Sequence, residues 1–357
     1  MIDHVRELGD ILWKQKASPC PQTFKLIPPQ PHLQQIEKDK FLNSTILTAE
    51  PILPGYRCVK IEYENCYYFA VSHAIQENTH PLFENFDLAT FNEDLTDGFF
   101  LLLFKPLSLK IKEDISPILL ENEVWGILDD KLYSGHDLDK LKKIFDSVVL
   151  TKVYSQSKLA EKSPSEFGKI FLSYDRNLYS LPFHDLTITL FRDLLYEEYP
   201  YFIQHNIFQS LTATHFQHSF IDLYKCIEYL YSLPHALSLK QVINFTGKAS
   251  ELADYCRKKL NWKRKEEYSL QLLINMAKQN IVESINFDKT SLIFGCTPEQ
   301  EDFCEKFSRQ LYKIRNSFVH QIDQSDQISL SDDEYNSVIH TLLVIIQQLF
   351  VSLKTEI

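Results

Sequence analysis

The chain has 357 residues, 44% of them hydrophobic and 13% aromatic, enough to bury a sizeable core and to form two domains. Its net charge of -11 and pI near 5.6 argue against broad affinity for a polyanion, so any contact with nucleic acid has to be local. Seven cysteines, odd in number and without CxxC spacing, fit reduced thiols and speak against zinc.

No basic-then-apolar leader opens the chain, and no run approaches the roughly 18 apolar residues needed to span a bilayer. The expectation is a soluble, cytoplasmic protein without membrane contact.

Twelve of the 15 prolines lie at or before Pro182, so the first half reads as rich in loops and strands. Arg57 to Tyr63 and Tyr67 to Ala74, joined across Glu64-Asn65, read as a hairpin of β-favouring residues. Phe99 to Phe104, Leu107 to Ile111 and Val124 to Leu128 read as further short strands, and Asp137 to Val148 as an amphipathic helix opened by an acidic residue. Residues 1–155 are therefore expected to form an α+β domain with a sensing or regulatory role. Ser155 to Gly168, polar and turn-forming, reads as a linker within a linker region 156–185, in which Lys169 to Tyr174 is a candidate last strand.

From about Leu186 the chain turns helical, with periodic segments near 186–198, 206–232, 239–260, 266–286, 299–319 and 332–354. Residues 186–357 are expected to form an all-α bundle. Ser331-Asp332-Asp333-Glu334 places cap-type and acidic groups before the apolar series Val338, Ile339, Leu342, Leu343, Ile346 and Leu349, the start of a core helix.

The residues that carry chemistry lie just upstream, in Arg315-Asn316-Ser317-Phe318-Val319-His320. Phe303, Phe307, Leu311, Ile314 and Phe318 recur at steps of four and three, so the hexapeptide rides a helix with a buried stripe. At about 100° per residue Arg315 flanks that stripe, while Asn316 and His320 share the opposite face with Arg309 and Lys313. Arginine and histidine then diverge by about 140°, and one straight helix cannot aim both at the same phosphate. A composite site needs a local helix end or a second copy of the helix.

An Arg followed by Asn, three further residues and His, late in a helix of a C-terminal bundle, resembles the HEPN superfamily of ribonucleases and its Arg-X4–6-His motif. The stretch Leu311 to His320 is most similar to the HEPN domains of bacterial abortive-infection proteins, including the ApeA-like antiphage group. An upstream helix with Phe216, Phe220, Leu223, Ile227 and Leu230 resembles the first HEPN helix, in which Glu228 holds a position that often faces the motif; a solvent-facing glutamate beside Lys225 is the equal alternative. The resemblance implies an α+β domain followed by an all-α HEPN-type bundle that acts as a metal-independent endoribonuclease at a homodimer interface, with no cofactor. The products would be 2′,3′-cyclic phosphate and 5′-hydroxyl ends.

The catalytic set would be Arg315, His320 and Asn316. RNA carries its own nucleophile, so a base, an acid and a positive charge suffice: the imidazole of His320 titrates near neutral pH, Arg315 presents a planar charged fork to phosphate, and Asn316 orients the histidine or holds a ribose or phosphate oxygen. The Tyr two residues after the His, which marks HEPN toxins silenced by nucleotide addition, is Ile322 here, so that control is not expected.

Candidate substrate contacts are Arg309 and Lys313 on the motif helix and Lys258, Lys259, Lys263 and Arg264 in the tract Arg257 to Lys265, whose six cations flank Trp262. The residues of that tract favour instead a solvated helix end suited to the dipole, with Trp262 half-buried. His215 and His218 lack further ligands at metal-binding spacing, and no GxxxxGK[ST] or GxGxxG loop is present. Two other classes stay open: a non-catalytic bundle for dimerisation or partner binding, and a toxin held inactive by a separate antitoxin, trigger or sensor protein.

Overall fold

Thr45–Leu53 (β1), Tyr56–Tyr63 (β2) and Cys66–Ser72 (β3) run as an antiparallel meander. The turn between β2 and β3 has the two residues expected of a tight hairpin, and both Glu64 and Asn65 are left-handed, with φ of 50° and 59°. The computed structural model describes residues 2–27, 31–72, 90–129, 131–260, 266–285, 287–319 and 330–357. They divide into two units, Met1–Arg176 and Asn177–Ile357.

In the first unit, Thr90–Glu93 (β4) and Val148–Tyr154 (β5) complete an antiparallel sheet of order β1-β2-β3-β5-β4. β3 is buried on both faces, which is why its sequence is a nearly continuous apolar run. Cys66, Tyr68 and Ala70 point into a core shared with Leu8 and Leu12 of α1 (Ile2–Lys14), Phe99 and Leu103 of α3 (Asp97–Leu103), and Leu141 of α5 (Leu138–Ile144). Phe69, one residue out of phase, stacks on Phe167 of α6 (Pro164–Leu172) with centroids 4.0 Å apart. The helices α2 (Pro31–Asn43) and α4 (Pro117–Leu120) complete the unit.

Several sequence expectations change here. Phe99 to Phe104 belongs to the helix α3, not a strand: a short apolar run has no period to reveal its type, and residues 98–103 are buried all round. Gly98 is required by closeness, since a Cβ there would lie 2.4 Å from the Glu37 carbonyl oxygen, and its N–H donates to Glu37 Oε2 at 2.7 Å. Leu107 to Ile111 contributes only an isolated bridge between Ile111 and Phe145. Val124 to Leu128 falls in a π-helical turn and a 3-10 turn. The helix expected over Asp137 to Val148 stops at Ile144, and Val148 instead opens β5.

The stretch expected to be a linker is folded structure as well. Ser163 caps α6 reciprocally with Glu166, Pro164 fills the first turn, and Phe167, Ile170 and Phe171 are buried. Gly168 lets α6 approach β1, where Ile52 packs. Serine, proline and glycine here mark a helix start and a close crossing, and of Lys169 to Tyr174 the first four residues continue the helix to Leu172 and the last two form a turn rather than strand.

The second unit is mostly helical: α7 (Asp185–Tyr196), α8 (Tyr201–Leu211), α9 (Phe216–Leu230), α10 (Leu233–Ile243), α11 (Ala249–Leu260), α12 (Glu266–Met276), α13 (Lys278–Ser284), α14 (Phe287–Phe294), α15 (Phe303–Val319) and α16 (Asp332–Leu353). The periodic segments expected at 206–232, 239–260 and 266–286 are each two helices. Asn244 ends α10 in the left-handed conformation, a stop the periodicity did not show.

α16 is the core. Its N-terminus carries the expected cap: Glu334 N–H donates to Ser331 Oγ and Ser331 N–H to Glu334 Oε2 at 2.7 Å. α7, α9, α12, α13 and α14 all pack against it. By length and composition α16 passes the test for a bilayer span, contrary to the expectation that no stretch would, yet 67% of its apolar window is buried within the protein.

Candidate functional site

The motif helix α15 buries Phe303, Phe307, Leu311 and Ile314 completely, and Phe318 packs edge-on against Phe220 of α9 at 5.2 Å. This is the stripe read from the sequence, and it fixes the rotation of α15 against α9, α12 and α14. Arg315, flanking the stripe, is thereby directed toward α9.

There its Nη2 lies 3.1 Å from Glu228 Oε1, and the two side chains are only 19% and 26% exposed. Of the two readings of Glu228, the structure selects the one that faces the motif. Arg315 Nη1 also donates to Asn316 Oδ1 at 3.0 Å. Burial works against the guanidinium charge, but the Glu228 and Glu266 carboxylates more than offset it, so the pKa lies above its ordinary value.

Beside the ion pair is a phenol pair, Tyr224 and Tyr231, with oxygens 2.5 Å apart on residues seven positions, or two turns, from one another. Burial pushes both hydroxyls well above the ordinary tyrosine value. One of the two hydroxyls donates to the other, so the pair brings buried polar groups without charge beside the ion pair.

On its other side the motif helix meets the start of α12. Tyr312, one turn before Arg315, donates to Glu266 Oε2 at 3.3 Å, and Arg309 pairs with Glu267 at 3.5 Å and with Glu305. Tyr312 is thus engaged within its own chain, while Val319, at the end of α15, is 47% exposed.

The expected site residues thus fall into groups. Arg315 and Asn316 are joined, and Arg309 lies on the same helix but is already paired to carboxylates. Asn316, expected to serve the histidine, spends its carbonyl oxygen on Arg315. Lys313 is exposed on α15. Lys258 and Lys259 are exposed in the last turn of α11, a helix that packs on α10. His320, Lys263 and Arg264 lie outside the described residues.

Sequence reading missed Glu266 and the Tyr224–Tyr231 pair as neighbours of the motif. The seven-residue spacing of the two tyrosines was a usable signal. Glu266 had none, since its place depends on how α12 packs on α15. Among the described residues no three His, Cys, Asp or Glu side chains gather as a metal-ligand set. No family model, curated protein or solved structure matches the chain.

Proposed function

We propose that the helical unit is a HEPN-type endoribonuclease domain that cuts RNA as a homodimer, and that the chain is an effector of bacterial antiphage (abortive-infection) defence, with the first unit sensing a trigger or recruiting a partner. One observation carries this reading. The arginine of an Arg-Asn-X3-His sequence, late in a core helix, is held by a carboxylate from the preceding long helix α9. Such a bond, with the one to Asn316, fixes the guanidinium and leaves donors not spent on Glu228 or Asn316 for a phosphate.

In the reaction, the 2′-oxygen attacks the adjacent phosphorus and loses its proton to a base, and the 5′-oxygen leaves with a proton from an acid. The P–O5′ bond breaks as the P–O2′ bond forms, leaving a 2′,3′-cyclic phosphate and a 5′-hydroxyl. His320 takes the proton-transfer role, with the partner's copy of the same histidine as its counterpart in the dimer, and Arg315 stabilises charge on the phosphorane. The purified full chain, incubated with total RNA in the presence of a chelator, should release cyclic-phosphate ends, and Arg315→Ala and His320→Ala should each abolish this. Cleavage that persists in both variants would rule the assignment out.

A second reading is favoured by the same ion pair: a half-buried Arg315 satisfied by Glu228 is also what a non-catalytic dimerisation or partner-binding bundle would contain. A folded, dimeric protein that leaves RNA intact under all these conditions selects it.

A further inference from the structure

The carboxylate of Glu266, the first residue of α12, also acts on the motif arginine. Glu266 accepts a hydrogen bond from Tyr312 at 3.3 Å, and Tyr312 is three residues before Arg315, so its neighbour on the helix surface. The guanidinium is therefore held by Glu228, 3.1 Å away in the last turn of α9, and lies in the field of Glu266 at the start of another helix. The two carboxylates differ in how they are held. Glu228 makes a charge-assisted bond with a mostly buried partner, whereas Glu266 accepts one long bond from a neutral phenol.

The charges matter for an anionic ligand. One guanidinium between two carboxylates presents a net charge of about -1, which repels a phosphodiester at the point where it has to bind.

Resting on the ribonuclease reading of Arg315, we propose that Glu266 is a displaceable counter-ion: it occupies the guanidinium's field in the free protein and yields that place to an RNA phosphate. Glu228 stays as the positioning carboxylate. The arrangement sets a threshold against short or weakly charged anions, because the entering ligand has to replace one negative charge before it gains the other. Its substrate class is accordingly a polyphosphodiester strand, not a mononucleotide.

Glu266→Gln tests this with little structural cost, since the amide oxygen still accepts from Tyr312. A fluorescent 2′-O-methyl RNA oligonucleotide, which lacks the attacking hydroxyl, reports binding by anisotropy, and unmodified RNA reports cleavage. The variant should bind the oligonucleotide about five-fold more tightly at low salt, with a similar gain in kcat/KM, and the gain should shrink at high salt. In an Arg315→Ala background the gain should vanish. Unchanged or weaker binding overturns the proposal, as does an equal gain without Arg315, which would mark a general charge effect. Tighter, Arg315-dependent binding with no cleavage by either protein upholds the counter-ion and overturns the ribonuclease reading. Failure of every form to bind the oligonucleotide overturns both.

Discussion

Removing Glu228 should destabilise the helical unit by about 2 kcal/mol, and the reasoning can be followed through its parts. At 3.1 Å, with an effective dielectric of about 20, the attraction to Arg315 is about 5 kcal/mol before desolvation. Holding two mostly buried charges out of water cancels much of this, and the guanidinium of the variant keeps Asn316 and the field of Glu266. Glu228→Ala therefore leaves a partly compensated charge rather than an orphan, so the cost falls below the roughly 3–5 kcal/mol of a fully buried broken pair. Urea titration followed by far-ultraviolet circular dichroism measures it, and in heat the midpoint should fall by about 4–8 °C. The double variant Glu228→Ala/Arg315→Ala should be more stable than the sum of the singles predicts, by about 1 kcal/mol or more. Strict additivity, or a loss below about 0.5 kcal/mol, would refute the account, because the pair would then be a surface contact in energetic terms.

Gly168→Ala puts a methyl group 2.2 Å from Ile52 Cδ1 and 2.6 Å from its Cγ1, and should cost about 1–3 kcal/mol of urea stability in the first unit; Ile52→Val, which removes the nearer atom, should recover part of it. Glu356, its pKa lowered by Lys240 and by the Ala249 N–H at the start of α11, stabilises the fold fully above the ordinary glutamate value of 4.5, and that contribution is lost as the pH falls through the lower folded value. Thermal melts of Glu356→Gln should thus trail the parent at neutral pH and converge with it in that acid window; a gap that persists below it would refute the linkage. Asn336, 1% exposed, accepts from His184 N–H at 2.9 Å and donates to the Pro182 and Asp332 carbonyls, so Asn336→Asp should cost at least as much as Asn336→Ala, about 2 kcal/mol or more in chemical denaturation, although it is the closer match in shape.

What could be read in the sequence depended on whether the cause was local. The β2–β3 hairpin was legible because two residues able to take positive φ sit between β-branched and aromatic runs. α16 was legible because Ser331 and Glu334 form a reciprocal cap ahead of an unbroken 3.6-residue period. The region 156–176 was misread for the converse reason: Ser163-Pro164 and Gly168 have the composition of a loop, and only their spacing to Glu166 and the approach of β1 make them a helix start and a crossing point. β5 was hidden because Val148 reads as the continuation of an apolar helix, while its strand state is set by β3 on one side and β4 on the other.

The candidate site divides along the same line. Arg315 and Asn316 follow from a pattern within one helix, and the direction of Arg315 follows from the apolar stripe beside it. Glu228 lies 87 residues away and Tyr312 reaches 46 residues back to Glu266, so these partners are products of packing between helices. The charges they bring sharpen the case for a second copy. On α15 itself Arg309 is already matched by Glu267 and Glu305, and Arg315 by Glu228, with Glu266 in its field. A phosphorane carries more negative charge than the phosphodiester it comes from, and these residues of one protomer offer little positive charge in excess. For the proposed reaction the balance has to come from further cations, such as Lys313, a protonated His320, lysines of the cationic tract, or their copies in a partner. On a helix continued through His320, which lies outside the described residues, the two side chains would diverge by about 140°, and the partner's copies would then be the ones to converge on the same phosphate. Cleavage rate should therefore rise more steeply than in proportion to protein concentration below the dimer dissociation constant, and mixing Arg315→Ala with His320→Ala chains should restore part of the activity that each variant lacks alone. A rate strictly proportional to concentration across that range, with no complementation, would place the whole site within one chain.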